Sequence, residues 1–228
     1  MNAVERALEL TRDATVLGLG SGRAAARFVK GLGARLTASK ERVRGVATSE
    51  ETARLAREAG IELVSLADVE ALDATVDGAD EVDPHLDLLK GWGRALVREK
   101  VVASASRRLI IIAGEEKLVP ALGHRGKLPI EVLPFALAFC ERRLRALGLD
   151  PRADRRDGKL FVTDNGNHIL DCGTGPIADP RRLEDDIHSI PGVVGTGLFL
   201  GMADVVLIGK GDGMELADEK RRTPGRKT

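Results

Sequence analysis

Tyrosine is absent from this 228-residue chain, tryptophan occurs once, and aromatic residues make up only 3% of it. So few flat side chains exclude a platform on which nucleic acid bases would stack. Net charge is lacking too. Thirty-five basic side chains offset thirty-five acidic ones, so no overall field draws the chain to nucleic acid or to an anionic membrane surface. No apolar run reaches the roughly 18 residues of a membrane span. Cysteine occurs twice, as Cys140 and Cys172. The two have no metal-ligand spacing, and such sparse use points to a reducing compartment. The opening MNAVERALEL patterns as an amphipathic helix and not as a secretory signal. These exclusions leave a soluble cytoplasmic protein.

Aliphatic and small side chains must then form the core, and apolar residues at 43% of the chain suffice for a large one. Along the first two-thirds, β-branched runs alternate with helical patterns. ATVLGLG, RVRGVAT, IELVSL, LDATVDG and RRLIIIAG read as strands. RAAARFVKGLGARL, SEETARLAREAG and RALVREKVVASAS read as helices, with Ser49 as an N-cap and Gly60 as a stop. Alternation of this kind predicts an α/β fold, a mostly parallel sheet flanked by helices. From about Pro129 the texture changes. LPIEVL, KLFVTD and HILDCG read as strands, FALAFCERRLRALG and PRRLEDDIHSI as helices, and Asp157-Gly158 as a hairpin turn. ADVVLIGKGDG then reads as a strand returning to the first sheet. The expected division is a large α/β domain over 1–127 and 203–214, a smaller inserted α+β lobe over 128–202, and a disordered tail over 215–228.

Three stretches carry chemistry. GLGSGRAA, Gly18 to Ala25, joins the first strand to a helix. Glycines there let backbone N–H groups approach an anion, and the helix N-terminus favours negative charge. Arg23 stands where a dinucleotide fingerprint needs its third glycine, and no G-K-[ST] follows, so neither nucleotide motif is present. The loop reads either as a phosphate cradle or as a plain strand-to-helix turn. TVDGADEVD places four carboxylates, Asp77, Asp80, Glu81 and Asp83, within seven residues at a strand end. A turn needs only one. LKGWGRALVREK adds Lys90 before a glycine-interrupted loop and Glu99 in a helix. Arg98-Glu99-Lys100 alone would be a solvated charged face. With the acids of the preceding stretch, a lysine and several carboxylates flank glycine loops closely enough to shift one another's pKa values in a cleft.

VLGLGSG, VATSEET, VDGADEVD, KGWGRALVREKVV, IIIAGEEKLV, LPIEVLPF, FVTDNGNHILD, GPIADP and IPGVVGTGLFLGMA follow one another in this order over about residues 14 to 211. In these the chain resembles the A-type ribose-5-phosphate isomerases. The resemblance implies an aldose–ketose isomerase that interconverts ribose 5-phosphate and ribulose 5-phosphate through an enediolate, in the non-oxidative pentose phosphate pathway. It implies no metal and no cofactor, a small-molecule sugar phosphate as partner, and a homodimer or homotetramer. Carried over residue by residue, it makes Glu99 the base that moves the proton between C2 and C1. Lys90 and the Gly91 backbone would stabilise the enediolate oxygen, Asp77 would assist ring opening, and Asp80 would orient sugar hydroxyls. Lys117 would lie near the sugar, and Gly20, Ser21, Gly22, Arg23 and Ala24 would hold the phosphate.

The chain departs from that pattern in its first helix, which lacks the lysine pair of many relatives near Met1 and Asn2, in its phosphate loop and in its glycine run. Ser21-Gly22-Arg23-Ala24 stands where the family reads T-G-S-T, so two hydroxyl donors are replaced, with Arg23 available as a charged fork. Trp92 and Arg94 interrupt the glycine run after Lys90, where a side chain meets a steric penalty if φ is positive. Rival readings are an isomerase of another phosphorylated sugar, a sugar-phosphate sensor of the same fold, and an acyl-CoA transferase. A sensor of the transcription-regulator kind would need a helix-turn-helix before the first strand, which here begins by about residue 14. A transferase would need a carboxylate nucleophile and a large nucleotide site. His168 reads as a packed or surface side chain, and Glu81 and Asp83 equally as sugar ligands or as turn residues.

Overall fold

The computed structural model describes residues 1–211 and 215–221. Asn2 and Glu5 close a reciprocal capping box on the first helix, Ala3–Leu10, as the amphipathic N-terminus predicts. The chain divides into two compact units. One takes Met1–Ala79, Arg98–Lys117 and the chain from Gly201; the other takes Asp80–Val97 and Leu118–Leu200.

In the first unit seven strands form one sheet. Their order is Glu215–Arg221, Val205–Lys210, Leu109–Gly114, Ala74–Gly78, Val16–Leu19, Arg44–Ala47 and Glu62–Leu63. All pairings are parallel except that of Glu215–Arg221 with Val205–Lys210. Period-two alternation sends Leu17 and Leu19 to one face, where they pack with Phe28, Val29 and Leu32 of the helix Gly22–Ser39 and with Ala3 and Ala7 of the first helix. Val16 faces the other way and packs with Val46, Leu72 and Val102, the last on the helix Leu96–Ser104. Both faces of the sheet are therefore covered, as a parallel sheet requires. Ser49 caps the helix Glu50–Glu58 by accepting from the Thr52 N–H, and Gly60 leaves it at φ 73°.

After Val16–Leu19 the chain builds outward through Arg44–Ala47 and Glu62–Leu63, then returns to lay Ala74–Gly78 on the other flank of the first strand. The carboxyl ends of Val16–Leu19 and Ala74–Gly78 therefore meet at the switch point, where open α/β sheets bind ligands.

The second unit holds a four-stranded antiparallel sheet ordered Val193–Thr196, Leu128–Val132, His168–Gly173 and Asp150–Ala153. Its helices Leu137–Ala146 and Pro180–His188 contribute Cys140, Leu144 and Ile187 to a core with Ile130, Val132 and Leu170. Asp157 (φ 51°) and Gly158 (φ 77°) turn a hairpin between Arg155–Arg156 and Lys159–Leu160, as their sequence predicts. A small sheet of Leu198–Phe199, Leu88–Leu89 and Glu81–Val82 completes the unit.

Two boundaries differ from expectation. Residues 80–97 and 118–127 fall in the second unit, because Leu88–Leu89 pairs with Leu198–Phe199 and Glu81 binds the loop at Gly123 and Arg125. The expected tail carries the edge strand Glu215–Arg221. An edge strand exposes one side and accepts charge there, and Glu219 of this one pairs with Arg6 at 2.7 Å and with Arg221 at 2.5 Å. Residues 212–214 and 222–228, the remainder of the expected returning segment and tail, lie outside the described residues.

Candidate active site

Gly20 ends the first strand with its N–H on the Val76 carbonyl at 2.9 Å, so the loop starts flat against the neighbouring strand. A Cβ on Gly20 would overlap the Asp77 carboxylate and stand 2.6 Å from the Asp77 Cα. Only glycine permits this approach. Asp77 is buried, and its Oδ1 accepts the Ser21 N–H at 3.0 Å and its neighbour Gly78's N–H at 2.7 Å. A carboxylate is thus fixed at the switch point by backbone donors.

Ser21 has its hydroxyl 2.8 Å from the Thr48 hydroxyl and donates to Ser49 Oγ at 2.8 Å. Thr48 and Thr52 donate in turn to the Leu19 and Gly20 carbonyls, at 3.0 and 2.9 Å. The hydroxyls of VATSEET therefore brace the glycine loop from beneath. Sequence reasoning gave Ser49 only its capping role and passed over Thr48 and Thr52; a cluster of hydroxyls opening the helix after the adjacent strand was the available signal. Beyond Ser21 the loop enters the helix Gly22–Ser39, with Gly22 at φ 86° and Gly22 and Arg23 both exposed. Ala24 follows, half-buried, in the first turn. The amino end of an 18-residue helix is turned outward here beside a guanidinium.

Glu99 sits on Leu96–Ser104 in the same unit and is 4% exposed. Its neighbours are not buried: Arg98 reaches Glu50 at 2.9 Å, and Lys100 is half-buried. The charged triplet therefore hides one member, a carboxylate, and hiding a carboxylate is costly unless its surroundings compensate it. Lys117 ends a 3₁₀ turn, Glu115–Lys117, directly after the strand Leu109–Gly114 that pairs with Ala74–Gly78.

In the second unit Lys90 is 3% exposed, its ammonium lies 5.5 Å from the centre of the Phe199 ring, and its N–H bonds to Gly197 O at 2.8 Å. A cation set over an aromatic face is attracted by the ring's quadrupole. Gly91 takes φ 106°, and a Cβ there would press on Leu96 and Pro129. Asp80 accepts the Trp92 N–H at 2.9 Å through Oδ2, while its own N–H bonds to Leu89 O.

The four acids of the opening cluster divide cleanly. Glu81 is fully buried and takes the Gly123 N–H at 2.6 Å and the Arg125 N–H at 2.7 Å, one on each oxygen. Asp83 takes the His85 and Asp87 N–H groups at 2.8 and 2.9 Å and closes a turn, and burial pushes its carboxyl above the usual range. Both have structural work. His168, half-buried, sets Nδ1 2.8 Å from the Phe161 carbonyl and belongs to the packing of its strand.

The glycine run also resolves. Trp92 is not at positive φ; Arg94 is, at 71°. The Trp92 indole N–H donates to Lys127 O at 3.1 Å, and its ring packs on the second unit's core. Among the described residues no group of three or more His, Cys, Asp or Glu side chains is arranged to hold a metal, and no helix is long and apolar enough to cross a membrane. Cys140 and Cys172 are buried and unpaired, with their thiols pushed up by burial.

Against known proteins, the pattern of the family described as ribose 5-phosphate isomerase A (phosphoriboisomerase A) matches residues 44–213. Ribose-5-phosphate isomerase A of Roseiflexus castenholzii is 50% identical over 226 residues, 96% of either chain. A solved D-ribose-5-phosphate isomerase in complex with phospho-erythronic acid superposes with a TM-score of 0.90 at 37% identity, covering 96% of both chains. Ribose 5-phosphate isomerase A from Methanocaldococcus jannaschii gives 0.89 at 36% identity with the same coverage.

Proposed function

The chain belongs to the ribose 5-phosphate isomerase A family, and on that premise we propose that it interconverts D-ribose 5-phosphate and D-ribulose 5-phosphate with Glu99 as the proton-transferring base. The observation that carries the assignment of the base is the burial of Glu99 between two charged neighbours that stay nearer solvent.

The chemical difficulty is a carbon acid. In the open-chain aldose the C2 hydrogen becomes removable only as the C1 carbonyl takes up charge. Glu99 takes the C2 proton, and the electron pair forms the C1–C2 double bond as negative charge moves to oxygen. The Lys90 ammonium and the Gly91 N–H stabilise that oxyanion. As the O2 hydroxyl proton passes to O1, Glu99, now protonated, returns its proton to C1, and the ketose results. One carboxyl serves as base and then as acid. Asp77 accepts the anomeric hydroxyl proton as the C1–O4 bond of the furanose breaks and passes it to the departing O4. Asp80 holds sugar hydroxyls, since carboxylates are their strongest acceptors, and Lys117 lies beside the sugar.

The phosphate takes a modified seat. The Ser21 hydroxyl is engaged with Thr48 and Ser49, the Gly20 N–H with Val76 O and the Ser21 N–H with Asp77, so the anion falls to the N–H groups of Gly22 and Ala24 at the open helix end and to the Arg23 guanidinium. Phospho-erythronic acid carries a planar carboxylate where a pentose enediolate carries its charge, and it should compete with substrate here.

The active form is a homodimer in this reading. Leu133, Phe135, Phe139 and Val194 are large apolar side chains exposed on the second unit, Phe135 fully so, and exposed apolar surface favours self-association. Two unpaired cysteines and a sugar phosphate substrate fit a reducing cytoplasm. The direct test is conversion of ribose 5-phosphate to the ketose by EDTA-treated protein, with free ribose and arabinose 5-phosphate as comparisons. Turnover of ribose 5-phosphate at the highest kcat/KM is expected. Absence of turnover, or preference for arabinose 5-phosphate, would overturn the assignment.

A further inference from the structure

Arg94 is out of place by two local rules. It carries a side chain at φ 71°, a conformation that glycine adopts without penalty and other residues do not. Its guanidinium is only 9% exposed, although it lies in a loop. Something must hold it there. Nη1 and Nη2 donate to the two oxygens of Asp171 at 2.6 and 2.8 Å, and Nε lies 3.1 Å from Asp154 Oδ2. Lys127 adds its ammonium to Asp171 at 2.9 Å, so two cations meet two carboxylates. Burial opposes charge on both partners of the fork, yet Arg94 is pushed above its ordinary pKa and Asp171 held below the usual carboxylate range, because each ion dominates the other's surroundings.

Asp171 lies on the strand His168–Gly173, paired on both sides within the four-stranded sheet. The fork therefore bolts a short loop to a rigid element. That loop is a turn, closed by the Arg94 N–H on Gly91 O at 2.9 Å, and it begins directly after Lys90. Within it the Trp92 N–H points at Asp80 Oδ2. The Trp92 indole is tied to Lys127 O, and the Arg125 guanidinium lies 5.5 Å from the centre of its ring. One ion cluster thus governs the backbone that presents both Lys90 and the donor to Asp80.

We propose that Arg94 is a positioning residue for the isomerase reaction: anchored by Asp171 and Asp154, it fixes the Gly91–Arg94 turn so that the Trp92 amide orients Asp80 and the chain delivers Lys90. The inference rests on the roles given above to Asp80 and Lys90. A misplacement of about an ångström in such a group costs about 10²-fold in rate, so a loop loosened by a fraction of that should lose at least tenfold.

Trp92 is the chain's only tryptophan, so its fluorescence reports this loop and nothing else. The experiment compares Arg94→Gly, which tolerates the positive φ but removes the fork, with Arg94→Lys, which keeps one cation. Steady-state kinetics with ribose 5-phosphate are paired with Trp92 emission and acrylamide quenching on folded protein. Arg94→Gly should lose about tenfold or more in kcat, raise KM a few-fold and expose Trp92 to quencher, and Arg94→Lys should recover part of each. If Arg94→Gly fails to fold, Asp154→Asn, which spares the fork to Asp171, should show smaller changes of the same sign. Wild-type kcat, KM and quenching in whichever of the two variants is folded would overturn the proposal. An unmutated protein without isomerase activity would instead remove the functional reading, while the quenching data would still test the anchor.

Discussion

Gly20→Ala is the perturbation whose effect the structure fixes most narrowly. The added methyl would overlap the Asp77 carboxylate and approach the Asp77 Cα to 2.6 Å, and that Cα belongs to a central strand that cannot yield. The loop must lift instead. Lifting strains or breaks the Gly20 N–H bond to Val76 O, the Thr52 hydroxyl bond to Gly20 O and the Ser21 N–H bond to Asp77. Each is worth about 1 kcal/mol net, and overpacking in a closed site adds about 1–3 kcal/mol. Partial relaxation leaves an expected loss of about 3–5 kcal/mol in urea unfolding. The catalytic loss should be larger than stability alone explains, because the proposed phosphate seat and Asp77 move together. About 10²-fold in kcat/KM is expected from a displacement near an ångström. Two comparisons isolate the cause. At Gly22 a Cβ meets nothing within 4 Å but φ is 86°, so Gly22→Ala should cost only about 1–2 kcal/mol of backbone strain. At Gly173 a Cβ finds ordinary contact at 3.5 Å, and Gly173→Ala should be close to neutral. A Gly20→Ala protein with wild-type stability and kcat/KM would refute the argument that this loop is held by contact with Asp77.

Arg23→Ala should raise KM for ribose 5-phosphate several-fold with little change in kcat, and an unchanged KM would show that the guanidinium never meets phosphate. Asp171→Asn should cost about 2 kcal/mol at pH 7, since hydrogen bonds to charged groups are worth about 1.5–3 kcal/mol. The Asp171 carboxyl is held below the usual range in the fold, so its contribution is whole above the ordinary Asp pKa of about 4 and is lost as pH falls through the lower folded value. The stability gap between wild type and Asp171→Asn should therefore close on acidification, and a gap independent of pH would contradict the assignment. Phe135→Asp with Phe139→Asp should convert a dimer to a monomer on size exclusion with light scattering, and a dimer that survives both changes would place self-association elsewhere.

Much of the first unit was legible because its signals are local. Uninterrupted apolar runs such as LIIIAG became the central strand Leu109–Gly114, and Ser49 and Gly60 bounded their helix as caps do. The inserted unit was legible in texture but not in extent. Glu81–Val82, Leu88–Leu89 and Leu198–Phe199 are two-residue strands whose existence depends on partners distant in sequence. KLFVTD reads as one strand, yet only Lys159–Leu160 pairs, because Thr163 leaves to donate to the buried Glu131. Glu215–Arg221 was hidden by its charges, which an edge strand tolerates.

The candidate site was legible as a set of residue types but not as a division of labour. Four acids in seven residues look alike in sequence. Only the fold shows that Glu81 and Asp83 are taken up by backbone N–H groups of turns, while Asp77 stands against the glycine loop and Asp80 against Trp92. In the same way Trp92 and Arg94 read alike as intruders in the glycine run, whereas Arg94 alone of the two bears a positive φ. Backbone dihedrals of a loop follow from what anchors its ends, and the anchors here, Asp154 and Asp171, lie far along the chain.

The central claim, that Glu99 carries the proton between the two carbons, is tested most directly by Glu99→Gln in deuterated water. Nuclear magnetic resonance would follow ribose 5-phosphate turnover and solvent deuterium entering the product, while Trp92 fluorescence follows binding of phospho-erythronic acid. The account predicts binding close to wild type with turnover reduced by about 10²–10⁴-fold, the usual contribution of a positioned base, and deuterium incorporation slowed in step. Near-wild-type turnover in Glu99→Gln would contradict it.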